Sequence, residues 1–264
     1  IVSADNTIAS NTIRAVNDGI VVSGSGATGD VIGADVAPNE LSLIDDALGN
    51  VLVEADGHGL EIVDGASGTV VAGNYVGTDR TGATTRGNGG TGIRVDASSG
   101  NQLGPGNTVT RNGSVTTGIR IESGFGNRIV ANSIHDNFGK GISVFEGANG
   151  DLSRPTLTSA ISSGASTTIS GAVTAAAGSY FVELFRNPAC DPDGLGFGEG
   201  ETYLAFAMVT VTDGSEPFST SVSGLAAGDV VTATLTSATT EDTSEFSNCE
   251  TVEEAVGGQE PVAV

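Results

Sequence analysis

Asn127-Arg-Ile129, Asn132-Ser-Ile134 and Gly141-Ile-Ser-Val144 make up one phrase of three short apolar segments. The phrase recurs four more times upstream. The copies are Asn101-Gln-Leu103, Asn107-Thr-Val109, Gly118-Ile-Arg-Ile121; then Thr69-Val-Val71, Asn74-Tyr-Val76, Gly92-Ile-Arg-Val95. Before those come Asp30-Val-Ile32, Asn50-Val-Leu52, Gly59-Leu-Glu-Ile62, and Asn6-Thr-Ile8, Asn11-Thr-Ile13, Gly19-Ile-Val-Val22. Three strands and three turns per copy predict a coiled β-solenoid of five rungs. Apolar residues at every second position, such as Ile142 and Val144, point into the coil; Glu61, Arg94, Arg120 and Ser143 point out.

The turn residues fit the same reading. Glycine before each third strand suits a tight corner with an unusual backbone angle. Asparagine at strand starts tolerates left-handed geometry, and in register the side chains can stack into a hydrogen-bonded ladder. Their expected role is structural. Two insertions interrupt the rhythm: residues 33–49, with Glu40, Asp45 and Asp46, and residues 77–90. Such loops are where function concentrates, but these leave different corners and need not converge. Five rungs make a coil about 24 Å tall, with sheet edges at both ends. The second half of the chain can cap the C-terminal end. The N-terminal end suits missing upstream rungs or a stacked neighbouring subunit.

After residue 150 the rhythm changes. Candidate strands at 156–161, 167–174, 180–186, 202–211, 218–222, 230–236 and 244–247 predict an immunoglobulin-like β-sandwich. The expected organisation is therefore all-β: a parallel coil over 1–150, a sandwich over 151–250 and a flexible acidic tail over 251–264. No stretch is long and apolar enough to span a membrane. No charged start and apolar run opens the chain, which suits a mature form or a piece of something longer.

The 264 residues carry 32 acids and 10 bases, a net charge of −22. Phosphate would be repelled, so nucleic acid is not an expected partner. Solubility explains the acidity, with calcium binding or a high-salt habitat as alternatives. The densest acidic loop is Asp191-Pro-Asp193-Gly194 with Glu199 and Glu201. Hard cations such as calcium take several carboxylate oxygens, but the spacing is not that of an EF-hand, and a solvated loop is the default. No cofactor is expected. Cys190 and Cys249 are the two cysteines. Pairing them would close a loop of about sixty residues, worth roughly 4 kcal/mol; two buried free thiols are the alternative.

No catalytic constellation stands out. A glycosidase needs two carboxylates facing across a groove, and the outward acids form no matched pair. His58 and His135 lie three rungs apart, and no nucleophile or metal motif occurs. Glu61, Arg94 and Arg120 do fall at matched positions of successive third strands. Cross-rung ion pairing is their plain reading, and a ligand face for sugar acids is the sharper one.

Gly73-Asn-Tyr-Val-Gly-Thr-Asp79 and Asn132-Ser-Ile-His-Asp-Asn137 followed by Gly141-Ile142 resemble right-handed parallel β-helix segments of bacterial surface and secreted proteins. Glu183-Leu-Phe-Arg-Asn-Pro-Ala-Cys190, with Thr243-Ser-Glu-Phe-Ser-Asn-Cys249, resembles the sandwich module that follows such segments. The resemblance implies a pectate-lyase-like coil, a disulfide between Cys190 and Cys249 and an extracellular or cell-surface location. The calcium-binding carboxylate cluster of pectate lyases has no match here. The expected function is structural or adhesive, by presenting loops or stacking end to end through the coil. Self-association, other surface proteins and glycans are the expected partners. A polysaccharide-binding or polysaccharide-degrading protein is the alternative.

Overall fold

The computed structural model describes all residues except 15–16, 38–39, 84–86, 114–116, 191–196 and 256–264. Rung one consists of Thr7–Ile8 (β1), Thr12–Arg14 (β2) and Ile20–Ser23 (β3). Rung two has Val31–Gly33 (β4), Val51–Val53 (β5) and Leu60–Val63 (β6), and rung three Val70–Ala72 (β7), Tyr75–Val76 (β8) and Ile93–Asp96 (β9). Rung four has Gln102–Leu103 (β10), Thr108–Thr110 (β11) and Ile119–Ile121 (β12). Rung five has Arg128–Ile129 (β13), Ser133–His135 (β14) and Ile142–Val144 (β15). Like strands stack into three parallel five-stranded sheets, so the coil is a parallel β-helix. The alternation holds in space: Leu60, Ile93, Ile119 and Ile142 stack in register inside, all buried.

Stacked asparagine side chains hold the corners. Asn11, Asn50, Asn74, Asn107 and Asn132 form one ladder, each Nδ2 donating to the next Oδ1 at 2.9–3.1 Å. The same oxygens accept backbone N–H groups of the rung before, as Asn107 Oδ1 does from Asn74 N at 3.0 Å. A second ladder includes Asn101, Asn127 and Asn149. A third, of Asn88, Asn112 and Asn137, lies before the third strands, where the repeat phrase did not mark it. At most ladder positions the left-handed residue is the one before the asparagine, as with Gly73, Gly106 and Ala131; Asn149, the last of the second ladder, is itself left-handed. The glycines before the third strands also differ from expectation. They are not left-handed; they are small because backbones meet there. A Cβ on Gly92 would lie 2.7 Å from the Gly118 oxygen and 2.8 Å from Asn112 Nδ2.

The second unit comprises Thr156–Ser162 (β16), Thr167–Thr174 (β17), Gly178–Asn187 (β18), Thr202–Val211 (β19), Ser215–Val222 (β20), Val230–Ser237 (β21) and Glu250–Glu254 (β22). They form one mixed, nearly closed sheet in the order β19-β18-β21-β22-β16-β17-β20. Its own core contains Leu157, Ile169, Val182, Leu184, Val211, Val231 and Leu235. The last strand lies later than the expected 244–247: Glu245 and Phe246 turn to the coil, while Ser244 and Ser247 bond back to β21. Residues 251–254 are therefore strand rather than tail, and 256–264 lie outside the described residues. Cys190 and Cys249 are disulfide-bonded, with Cα atoms 5.8 Å apart.

This unit closes the C-terminal end of the coil. Ile134 and Gly200 exchange backbone hydrogen bonds of 2.7 and 2.8 Å. Glu199 replaces the next asparagine of the third ladder, accepting from Asn137 N and Nδ2 at 3.2 and 3.0 Å. Thr243 Oγ1 accepts from Ile129 N at 2.9 Å, and Phe185 and Phe246 plug the coil's apolar core. The C-terminal end of the coil is thereby covered, as the sequence led one to expect. The insertions also meet, contrary to their separate corners: Arg80 donates to the carbonyls of Asp46 and Gly49.

Asn107→Ala removes one ladder step and leaves buried amide partners unpaired on both sides. It is expected to cost at least about 3 kcal/mol, read by chemical denaturation. A loss under about 1 kcal/mol would contradict the ladder's role.

Candidate functional site

Two places bring functional side chains together. The first is the outer face of the third sheet. Strand register aligns Glu61 with Arg94, Arg94 with Arg120 and Arg120 with Ser143. The Arg94 guanidinium sits among three carboxylates: Glu61 at 2.9 Å, Asp96 at 2.9 Å and Glu122 at 2.5 Å. The Glu122 hydrogen bond, more than any other contact, raises the Arg94 pKa further above its ordinary value. Arg120 Nε lies 3.0 Å from Glu122, and its guanidinium stacks 4.5 Å from the Phe145 ring centroid. Asp96 also accepts from Ser123 Oγ at 2.7 Å. Glu61, Asp96 and Glu122 are thus held by arginine, and the face is an ion-pair network.

Asp18 and His58 extend this network in a way the linear spacing did not reveal. One ligand atom each from Asp18, His58 and Glu61 falls within 4.8 Å of the others. The hydrogen bonds argue against a metal. His58 Nδ1 accepts from Thr91 N at 2.9 Å, so the neutral ring carries its proton on Nε2, 3.7 Å from Glu61. Asp18 Oδ1 accepts from His58 N at 2.7 Å. Nε2 has no lone pair to offer a cation while Nδ1 accepts from Thr91.

The second place is a cleft of about 350 Å³ where the coil meets the second unit. Arg128 and Ala131 come from the fifth rung, Phe181 and Glu183 from β18, Tyr203 and Phe206 from β19, and Leu41 from the first insertion. That loop reaches the cleft because it folds along the coil. Ile44 packs over Gly73 and Gly106, and the Val36 carbonyl accepts from Gln102 Nε2 at 2.8 Å. Phe181 and Phe206 meet edge to face at 5.6 Å, and Arg128 lies 5.7 Å from the Phe181 centroid.

Glu183 is the polar centre of the cleft and 6% exposed. Oε2 accepts from Ala131 N at 3.0 Å, continuing the cap on the coil. Oε1 has no hydrogen-bond partner among the described residues. Burial pushes the Glu183 carboxyl up to about 7, against the partial counter-effects of the Ala131 bond and the Arg128 charge. Burial, then the Glu183 charge, pushes Tyr203 up to about 12. The sequence carries one signal for Glu183: an acid between Phe181 and Phe185, on the face of the strand opposite the core residues Val182 and Leu184. In the candidate calcium loop, Asp191 and Asp193 lie outside the described residues, and Glu199 is buried against Asn137.

A family model described as a right handed beta helix region matches residues 1–176, running past the fifth rung into β16 and β17. Comparisons with curated proteins and with solved structures found no match.

Two substitutions test this geometry. Arg94→Gln leaves three carboxylates facing one another, and a loss on the order of 1–2 kcal/mol is expected in urea unfolding at neutral pH; unchanged stability would mean the network contributes nothing. For Glu183 the folded pKa lies above its unfolded value, so its favourable contribution is complete below about 4.5 and fades as pH rises through about 7. Glu183→Gln keeps an acceptor for Ala131 without the charge. Relative to wild type it should gain on the order of 2–3 kcal/mol between pH 5 and pH 8. A pH-independent difference between the two unfolding curves would refute the buried-acid assignment.

Proposed function

The chain belongs to the right-handed β-helix family, which includes surface proteins and polysaccharide-active enzymes, and from that premise we propose an extracellular, non-catalytic surface protein. In this reading the role is structural or adhesive. The coil is a stiff support, and the cleft at its capped end engages other surface molecules. The observation that carries the reading is the saturation of the outer face. Hydrolysis of a glycosidic bond needs an available acid and a second carboxylate across a groove. Glu61, Asp96 and Glu122 are instead tied to Arg94, and among the cleft residues Glu183 has no carboxylate opposite it.

Two further features support this view. The Cys190–Cys249 disulfide suits an oxidising compartment. The strand order of the second unit, with β19-β18-β21 and β16-β17-β20 joined through β22, supports its reading as an immunoglobulin-like module of the kind carried by bacterial surface proteins.

The test is incubation with neutral and uronate-rich polysaccharides, with assays for new reducing ends and unsaturated uronate products. No turnover is expected. Turnover that Glu61→Gln or Glu122→Gln abolishes would replace this reading with that of a polysaccharide-degrading enzyme.

A further inference from the structure

The cleft has a feature that its capping role does not use. Glu183 is nine-tenths buried, and only one of its oxygens serves the coil. The other has no partner among the described residues, and Glu183 lines a largely apolar cleft. A carboxylate so placed is poorly solvated and gains strongly from a cation delivered to it. Arg128 does not fill this role: it lies over Phe181 and 3.5 Å from Glu241, with no ion pair to Glu183 within 4.0 Å. Arg128 from the coil and Tyr203 from β19 are the charged and titratable groups that face Glu183.

The walls select the kind of cation. Leu41, Phe181 and Phe206 suit an alkyl stem and offer aromatic faces to a positive charge. A hydrated metal ion would lack oxygen ligands there. The rim extends beyond a small molecule's needs. Phe206 is 53% exposed and Met208, two residues along the same face of β19, 67%; Leu43 beside Leu41 is 64% exposed. This apolar rim suits a macromolecular surface. The net charge of −22 draws basic partners toward it.

We propose that the cleft is a docking site for a lysine side chain of a partner protein, its methylene stem between Leu41 and Phe206 and its ammonium group at Glu183 Oε1. This rests on the reading of the cleft as the partner-engaging site. The proton balance is explicit: a protonated Glu183 meeting a lysine ammonium becomes a carboxylate–ammonium pair, and the acid's proton passes to buffer. Near pH 6.5, where the buried acid is largely protonated, docking therefore releases protons, and neutral ligands release none.

The experiment is calorimetric titration of the whole protein at pH 6.5 in two buffers of different ionisation enthalpy. The probe is acetyl-Gly-Lys-Gly-amide, with its Nε-acetyl-lysine and norleucine analogues alongside. The lysine peptide is expected to bind with net proton release and at least tenfold more tightly than either analogue. Glu183→Gln should abolish proton release and weaken binding at least tenfold. Phe206→Ala, at a half-exposed position that the fold does not need, should weaken it several-fold. Three outcomes overturn the proposal: no saturation at millimolar peptide, equal binding of lysine and norleucine peptides, or lysine binding that both variants leave intact, which would mark diffuse attraction to an acidic surface. Any of these leaves the non-catalytic reading standing, whereas polysaccharide turnover removes that reading.

Discussion

A parallel coil exposes unpaired backbone amides at every corner, where the chain leaves one sheet before joining the next. Side-chain amides resolve this. An interior ladder asparagine such as Asn107 accepts from a backbone N–H and a side-chain Nδ2 of the rung before, and donates both to the next asparagine and to a carbonyl. Buried polar groups left without such partners cost more than a made bond contributes. The rest of the architecture depends on this chain of amides: the rung spacing, the close-packed glycines and the straight stacks of Ile, Leu and Val. A carboxamide both donates and accepts, so asparagine can repeat itself indefinitely in this position.

A ladder must also end. At the C-terminal end its last donors meet groups that only accept or that belong to another sheet. Glu199 takes Asn137, Thr243 takes Asn149, and Glu183 takes the neighbouring Ala131 N–H. Phe185 and Phe246 do the same for the apolar core. The coil and the second unit are consequently one continuous hydrogen-bonded body at their junction. Two of the acids used there, Glu183 and Glu199, are buried. Capping thus places a desolvated carboxylate beside a surface cleft, and structural need generates a site with chemical character.

Electrostatics divides the molecule's acids into two kinds. On the outer face, Glu61, Asp96 and Glu122 surround Arg94 in partly exposed pairs, where solvent and salt moderate each contact. At the junction, Glu183 is buried with one amide bound and Arg128 and Tyr203 nearby, and burial outweighs them to push its carboxyl up to about 7. The first arrangement is saturated, and in the second one carboxylate oxygen has no hydrogen-bond partner among the described residues. Chemical potential lies with the second, although the first has more charges.

The spacing of Asn, Gly and alternating aliphatic residues alone determined the five rungs, each strand's register and the Glu61–Arg94–Arg120 alignment, because stacking like upon like is a local rule repeated along the chain. Six of the seven later strands were legible for a similar reason, in their alternation and turns. The reason for glycine before each third strand was not, since close approach of Gly92 to Gly118 is a fact of neighbouring rungs and not of one corner. Nor was the displaced last strand, because Thr243, Glu245 and Phe246 serve the coil. The cleft was least legible of all. Leu41, Arg128, Glu183 and Phe206 come from four distant segments, and only tertiary packing brings them together, since burial and the loss of water around Glu183 exist only when coil, insertion and second unit are assembled.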